Sequence, residues 1–162
     1  MIAICRGMQM LSVVSGADII QDLGKWYEKQ GIEYHSMHRD PEKKDLVPHD
    51  AKIISRDSLL YEIIGEDRLK GVPSWHHQAV RSVEDTRLAV TAKTKTDGKN
   101  VIEAVERPDK RFCIGVQFHP EVAVRKVVDK EENADEFMSY ETAEKLFRAL
   151  IREGYPDGVT EG

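Results

Sequence analysis

A short apolar segment at the beginning of the chain turns directly into a helical pattern. Residues 2–4 have the character of a buried strand, and residues 6–14 carry apolar side chains at helical spacing. The junction is Ala3-Ile4-Cys5-Arg6-Gly7, with a small residue two positions before Cys5 and another two positions after it. A tight strand-to-helix turn brings those two neighbours together and exposes the residue at its apex. The sequence therefore predicts a strand, a nucleophile elbow at Cys5 and a helix.

The chain has two cysteines, and their surroundings differ. At the N-terminus of the predicted helix, free amides and the positive end of the helix dipole favour a thiolate at Cys5. A buried structural cysteine is the alternative interpretation of the elbow pattern by itself. Cys113 lies within the apolar stretch 112–118, which predicts a strand, and we expect it to be an inert thiol in the core.

The same apolar stretch runs directly into His119-Pro120-Glu121. The end of a strand is where doubly wound folds place their ligands. A histidine there can take the proton of a thiol and return it to a leaving amine, and a carboxylate two residues later can fix the tautomer of the imidazole. We therefore predict a triad of the nucleophile Cys5, the base His119 and the orienting carboxylate Glu121.

The rest of the sequence predicts alternating strands and helices. Ser58 and Gly65 are typical of the two ends of a helix, and Asp97-Gly98 is typical of the turn of a β-hairpin. Residues 24–48 are polar with little periodicity and predict a long loop, and the charged run 129–136 predicts a solvated loop. Further predicted elements are strands at 51–55, 88–94 and 100–105 and an amphipathic helix at 140–152.

Composition favours a single globular domain, residues 1–162. The sequence is 40% hydrophobic, and it has no apolar run near the roughly 20 residues of a membrane span. The net charge is −5 and basic residues are scattered among acidic ones, so we expect neither nucleic-acid nor membrane binding. Two widely separated cysteines form no disulfide framework, and we expect a cytoplasmic protein with reduced thiols.

Two motifs resemble those of the class I glutamine amidotransferases. Cys5-Arg6-Gly7-Met8-Gln9 resembles the family's elbow, and Gly115–Glu121 resembles its Gly-Val-Gln-Phe-His-Pro-Glu signature. Three further stretches resemble the γ-glutamyl-γ-aminobutyrate hydrolase branch, so that the resemblance covers nearly the whole chain: Gln21–Leu23, Ser74–Val80, and Asp97-Gly98 before Ile102–Ala104. The resemblance implies an α/β fold, the C-terminal part of a doubly wound, flavodoxin-like amidotransferase fold with a β-hairpin extension.

The resemblance also implies an activity and a set of site residues. Cys5 would attack a γ-glutamyl carbonyl to form a thioester, while His119 moves the proton and Glu121 holds the imidazole. The backbone amide of Arg6 would donate to the oxyanion, because it follows the elbow nucleophile. The residues implied to contact the substrate are Gln9, His76, His77 and Gln78.

The histidines allow other interpretations. His76, His77 and Gln78 could bind a metal or be hydrogen-bonded structural residues, but no further ligand stands at a recognised spacing. We therefore predict no metal and no cofactor. We expect His35, His38 and His49, which stand in polar loop sequence, to be solvated, although His38 or His49 could reach the mouth of the site. We expect Trp75 to pack against the protein.

The position of the elbow departs from the family pattern. Only four residues precede Cys5, whereas the family places several strand–helix units and the second oxyanion donor before its elbow. We therefore expect a domain that is N-terminally incomplete. Such a chain would expose an unpaired strand edge, and would aggregate, form a homo-oligomer or take the missing part from another chain.

Three functions are compatible with these motifs. The first is a free-standing cysteine-dependent hydrolase of a γ-glutamyl amide, favoured by the His76-His77-Gln78 segment. The second is a glutaminase subunit that supplies ammonia to a synthetase, and the third is a truncated copy without catalytic activity. The small γ-glutamyl substrate is the partner common to the first two.

Overall fold

A computed structural model describes residues 1–35, 38–40, 42 and 46–155. These residues form eight strands, five α-helices and a 3-10 helix. In chain order they are β1 (Ile2–Ile4), α1 (Arg6–Val14), β2 (Asp18–Ile20), α2 (Leu23–Glu28), β3 (Val47–Ile53), α3 (Leu59–Ile64), β4 (Arg68–Ser74), β5 (Ala79–Ser82), β6 (Ala89–Thr96), β7 (Lys99–Glu106), β8 (Ile114–Val116), α4 (Pro120–Val128), the 3-10 helix (Ala134–Glu136) and α5 (Tyr140–Gly154).

Six strands form one sheet in the order β1-β8-β7-β6-β3-β4, and β2 pairs with β5 in a separate ribbon. β1 and β8 run parallel, whereas the other neighbours in the six-stranded sheet are antiparallel. The predicted strand–elbow–helix unit is confirmed at β1 and α1, and the predicted hairpin is confirmed at β6 and β7. The fold is mixed α/β, as expected.

Helices cover both faces of the six-stranded sheet. Adjacent residues of a strand point to opposite faces, and Ala104 and Val105 of β7 belong to different apolar clusters. The cluster that contains Ala104 also takes apolar side chains from α3, α4 and α5, whereas Val105 packs with Met8 of α1. The elbow helix is therefore on one face of the sheet and the C-terminal helices are on the other.

Local signals set the ends of the predicted helices. The side chain of Ser58 accepts a hydrogen bond from the amide of Tyr61, and Gly65 ends α3 with a left-handed backbone. Ser139 caps α5 in the same way by accepting from the amide of Thr142. Both helices predicted from the sequence are confirmed.

Two segments differ from the predicted loops. The stretch 24–48 contains most of α2, which is capped by Asp22. Tyr27 of this helix is buried, and its hydroxyl donates to the carbonyl of Thr96. Residues 36, 37, 41 and 43–45 of that predicted loop lie outside the described residues. The charged run 129–136 is largely exposed, but it is tied to α4 because Glu131 and Asn133 both bind the buried ammonium group of Lys126.

Among the described residues, no helix combines the length and apolar character required to cross a bilayer.

Gly71 of β4 is a point of close backbone contact that generates a prediction about stability. Its φ is +59°, and a Cβ atom at this position would lie 2.7 Å from the carbonyl oxygen of Glu136. The amide of Met138 donates to the carbonyl of Gly71, so the backbone cannot move away without losing this bond. We expect Gly71→Ala to lower the free energy of unfolding by about 2–4 kcal/mol, from strain and overpacking together.

Urea denaturation followed by circular dichroism measures this change. Gly65→Ala is the matched control, because Gly65 also has positive φ (+81°) but nothing lies within 4 Å of its added Cβ. We expect the control to cost about 1 kcal/mol from strain alone. Equal losses in the two variants would show that the contact with residues 136–138 contributes nothing.

Candidate active site

Strand pairing brings the predicted nucleophile and base to one edge of the sheet. β1 ends at Ile4 opposite Val116 of β8, and the amide of Cys5 donates to the carbonyl of Val116 at 2.7 Å. The carboxyl ends of parallel neighbours meet at the same edge, so the residues that follow each strand lie together. The amide of His119 is in turn fixed by a 2.8 Å hydrogen bond to the carbonyl of Pro73, at the end of β4.

Cys5 adopts the strained backbone of a nucleophile elbow. Its φ is +48° and its ψ is −103°, and it immediately precedes the first residue of α1. A non-glycine residue in such a conformation costs about 1–3 kcal/mol and persists only where its surroundings hold it. A Cβ atom added to Gly7 would lie 3.6 Å from Cβ of Ala3, an ordinary contact, so alanine fits before the elbow.

His119 lies between the thiol and the carboxylate. Its Nδ1 is 2.6 Å from Oε1 of Glu121, and because a carboxylate only accepts, Nδ1 carries the hydrogen and donates. The hydrogen bond with Cys5 and then the one with Glu121 raise the pKa of His119 to about 9. Nε2 of Gln117 also donates to Sγ of Cys5 at 3.5 Å. The three residues of the predicted triad therefore lie together at this edge of the sheet.

A cleft of about 250 Å³ opens beside Cys5. Gln9 is buried at its base, where Nε2 donates to the carbonyl of Gln78 and to Oε1 of Gln117. Gln78 in turn donates to Gln21. All of the sequence-predicted contact residues line this cleft, which is formed by Cys5, Arg6, Gln9, Arg39, Trp75, His76, His77 and Gln78.

Arg39 is a cleft residue that sequence analysis did not identify. Its guanidinium lies over the ring of Trp75, 5.2 Å from the centroid, and Nη1 is 3.5 Å from Nδ1 of His77. Nε is buried without a hydrogen-bond partner among the described residues. A single arginine in polar loop sequence carries no local signal of such a position. The arrangement gives the cleft a cation that can bind a carboxylate.

Two of the three histidines predicted to be solvated are buried. His35 is exposed and binds Asp97, as expected, but the prediction is wrong for His38 and His49, which are 0% and 6% exposed. Both pack around Glu103, a fully buried residue of β7, and His76 completes the group. We refer to His38, His49, His76 and Glu103 as the buried histidine cluster.

Burial determines the charge state of this cluster. It lowers the pKa of His38 to about 4, and it lowers the pKa values of His49 and His76 from the usual histidine range. It raises the pKa of Glu103 to about 7. The imidazoles are therefore neutral at physiological pH. His76 faces both the cluster and the cleft, but its side chain is only 2% exposed.

The second cysteine has the environment predicted from the sequence. Cys113 is 6% exposed, whereas Cys5 is partly exposed, and both are free thiols. The accessible thiol is therefore the one beside His119.

Comparisons with known proteins agree with this geometry. The model of the peptidase C26 family matches residues 1–121. Protein NtpR of Enterococcus hirae is 38% identical over 121 residues, which are 74% of this chain and 46% of NtpR. γ-Glutamyl-γ-aminobutyrate hydrolase PuuD of Escherichia coli is 31% identical over 119 residues, which are 74% of this chain and 44% of PuuD. The chain thus spans less than half the length of these relatives.

Solved structures support the fold. A glutamine amidotransferase from Thermotoga maritima superimposes with a TM-score of 0.54 at 21% identity, covering 94% of this chain and 60% of that protein. At this identity the likeness establishes the architecture alone, whereas the family rests on the match over residues 1–121. The chain belongs to the peptidase C26 family of class I glutamine amidotransferase-like proteins.

Proposed function

We propose that the whole protein hydrolyses a γ-glutamyl amide in the cytoplasm, with Cys5 as nucleophile, His119 as acid and base, and Glu121 as orienting residue. The observation that carries this proposal is the position of His119, which lies close enough to Cys5 for the thiol to raise its pKa and which donates through Nδ1 to Glu121. Elbow strain and partial exposure present the thiol to the cleft. The free state of both cysteines is compatible with a reducing compartment.

The proposed reaction has two steps. The Cys5 thiolate attacks the amide carbonyl, and the oxyanion accepts from the backbone N–H of Arg6, which has no acceptor within the first turn of α1. Collapse breaks the C–N bond, and the leaving amine takes a proton from the His119 imidazolium. Neutral His119 then takes a proton from water as the water attacks the thioester. The C–S bond breaks, which releases the acid and leaves Cys5 as thiolate and His119 as imidazolium.

The cleft favours a small, polar acyl group with its own carboxylate. Arg39 provides a cation over Trp75, and Gln9, His77 and Gln78 provide hydrogen-bonding groups around Cys5. A γ-glutamyl group has an α-carboxylate and an α-ammonium separated by two methylenes from the reacting carbonyl. Guanidinium–carboxylate hydrogen bonds are charge-assisted and are typically worth more than neutral ones. Membership of a family that includes PuuD supports the same acyl group.

A glutamine analogue with a diazoketone at the γ position tests this acyl specificity without requiring turnover. We expect mass spectrometry to find one adduct on Cys5, and excess γ-glutamyl amide to slow its formation. Arg39→Gln should reduce the rate of modification by about tenfold or more, because one charge-assisted hydrogen bond of about 1.5–3 kcal/mol is lost. The control is a diazoketone without the α-amino acid group. Equal rates with the two reagents would contradict γ-glutamyl recognition.

Thiol reactivity distinguishes the two cysteines. We expect iodoacetamide to alkylate Cys5 in the folded protein and to leave Cys113 unmodified, because Cys5 is partly exposed beside His119 and Cys113 is buried. Peptide mapping measures both sites, and the urea-denatured protein, in which both should react, is the control. Faster alkylation of Cys113 than of Cys5 in the folded chain would refute the assignment of the nucleophile.

The raised pKa of His119 predicts the pH dependence. The imidazolium should be present below about pH 9 and lost as the pH rises through that value, with loss of the proton that the leaving amine requires. Histidine Cε1–H resonances followed by NMR give this titration directly. Glu121→Gln should move the midpoint to lower pH, because a hydrogen bond that raises the pKa is weakened, whereas exposed Glu84→Gln should not. A midpoint near 6.5 in the unsubstituted protein would contradict the hydrogen bonds that raise the pKa of His119.

Turnover of the whole protein ranks the roles of the triad. We expect Cys5→Ala and His119→Ala to lower kcat by about 10⁴-fold or more. Glu121→Gln should lower it by about 10²-fold, since it disturbs orientation and leaves the nucleophile and base in place. Release of the amine from γ-glutamyl compounds measures kcat. Undiminished activity of His119→Ala would exclude His119 as the proton shuttle.

A further inference from the structure

The buried histidine cluster contains polar atoms that the protein does not satisfy. Nδ1 of His38, Nε2 of His49, Nε2 of His76 and both carboxylate oxygens of Glu103 are buried without a hydrogen-bond partner in the described part of the chain. Each such group destabilises the folded protein if it stays unsatisfied. Five of these atoms in one place, pointing at one another, indicate that a further group belongs between them.

The spacing of these atoms is close to that of ligands around one ion. Oε1 of Glu103 lies 3.4 Å from Nδ1 of His38, 3.7 Å from Nε2 of His49 and 4.0 Å from Nε2 of His76. One ligand atom from each of the four residues lies within 4.8 Å of all the others. In a tetrahedral zinc site with bonds of about 2.0–2.1 Å, neighbouring ligand atoms are about 3.3 Å apart. Each pair of ligand atoms would have to approach by about 1.5 Å or less to hold such an ion.

The other nitrogen of each imidazole is held in place from outside. Nδ1 of His76 is 2.8 Å from the carbonyl of Gln78, and Nδ1 of His49 is 3.3 Å from the carbonyl of Asp50. A carbonyl only accepts, so in these neutral rings Nδ1 carries the hydrogen and Nε2 presents its lone pair to the cluster. Such outer hydrogen bonds orient the histidine ligands in most metal sites.

His38 has an equivalent outer partner, but it uses the opposite ring nitrogen. Its Nε2 lies 3.0 Å from Oγ1 of Thr96. When Nε2 donates to this hydroxyl, Nδ1 presents its lone pair to Glu103. In that tautomer all three rings have a lone pair towards the same carboxylate.

A β-bulge places the carboxylate. Along the β6–β7 ladder, Ala92 pairs with Ala104 and Lys93 pairs with Ile102, so Glu103 is the extra residue of β7. Bulges re-aim side chains and are frequent next to functional sites. Among the described residues, the positively chargeable groups found within 4.0 Å of the carboxylate are the three imidazoles of this cluster.

We propose that His38, His49, His76 and Glu103 form a binding site for a divalent transition-metal ion, with Zn²⁺ as the ion that best fits. Three imidazole nitrogens and one carboxylate oxygen match the ligand preferences of zinc, and four protein ligands leave no open position, as in structural zinc sites. The ion would neutralise the buried carboxylate and satisfy the lone pairs that face it.

The position of the site gives the ion a structural task beside the cleft. Arg39 and His77, which line the cleft, directly follow the ligands His38 and His76 in the chain, and the amide of His76 already donates to the carbonyl of His38. An ion that joins these two segments to β3 and β7 would fix the wall of the cleft opposite Cys5. The metal would therefore hold the substrate-binding wall in place, and it takes no part in the proton transfers of the triad.

Metal content and affinity test the site without reference to turnover. The chain is stripped with a chelator, titrated with Zn²⁺ against a chromophoric competitor, and measured for bound metal by mass spectrometry. We expect one tightly bound equivalent and a rise in melting temperature on adding Zn²⁺. Co²⁺ in its place should give the intense visible absorption of tetrahedral coordination. The absence of stoichiometric Zn²⁺ binding and of any thermal shift would overturn the proposal, and would leave the cluster to buried water.

Variants locate the ion at this cluster. Loss of a hydrogen-bond partner of a metal ligand typically costs about 10–100-fold in affinity, and loss of a ligand should cost at least as much. We expect at least a hundredfold loss for Glu103→Gln and His49→Gln. Exposed His35→Gln is the matched control and should bind as the unsubstituted chain does. Equal affinity in all of these proteins would place the metal elsewhere and refute the assignment.

Thr96→Val keeps the test decisive if a ligand variant does not fold. It removes the outer partner of His38 with little change of shape, and the backbone carbonyl that binds Tyr27 is retained. Folding is checked by circular dichroism. We expect about a tenfold loss of Zn²⁺ affinity and weaker cobalt absorption. A folded Thr96→Val chain with unchanged affinity and spectrum would contradict a site that includes His38.

Discussion

The parallel pairing of β1 with β8 is the constraint on which the candidate active site depends. Its register, Ile2 with Ile114 through Ile4 with Val116, determines how far Cys5 lies from the chain that leads to His119. Gly115 makes this register compatible with the elbow helix, because a Cβ there would lie 3.0 Å from Cγ of Met8. α1 therefore packs directly on β8. A shift of one residue would exchange the faces of every side chain in the strand and separate the thiol from its base.

The same pair of strands connects the triad to the buried histidine cluster. β8 pairs with β7, and the amide of Gln117 donates to the carbonyl of Glu103, the bulged residue of β7. The side chain of Gln117 in turn donates to Cys5 and accepts from Gln9. One residue at the end of β8 thus binds the backbone of the cluster and the side chains of the elbow. Displacement of Glu103 would therefore move Gln117, which contacts Cys5 directly.

Local features of the sequence predict much of the fold. The elbow at Cys5, the cap at Ser58, the stop at Gly65 and the hairpin turn at Asp97-Gly98 each depend on residues within a few positions of one another, and the structure contains all of them. The short range of these interactions makes them visible in one sequence. The triad can also be predicted from local sequence, since Cys5 directly follows β1 and His119 and Glu121 come soon after the end of β8.

The burial of the histidines and the position of Arg39 depend instead on segments that are far apart in the chain. His38, His49, His76 and Glu103 come from four segments, and each by itself stands in ordinary sequence. Polar residues around His38 and His49 predict that these histidines are exposed. The carboxylate of Glu103, which packs against them, is too far away in the sequence to be part of that local pattern. The one usable signal is Glu103 itself, an acidic residue within an otherwise apolar strand, which requires a buried partner.

The backbone strain at Cys5 and the unsatisfied polar atoms around Glu103 both lie beside one cleft. Of the non-glycine residues with positive φ in the described structure, Asp85 and Asp97 are of a type that tolerates this conformation in turns, and Lys130 is exposed beyond α4. Neither reason explains the positive φ of Cys5, because this residue directly follows a strand of the sheet and its ψ lies outside the left-handed helical region. Its strain, of about 1–3 kcal/mol, and the unsatisfied atoms around Glu103 are large against a total stability of about 5–15 kcal/mol. Natural sequences break local rules of this kind mainly where function requires it. The strained thiol and the unsatisfied carboxylate are therefore the two places at which we propose binding: of an acyl group at Cys5, and of an ion at Glu103.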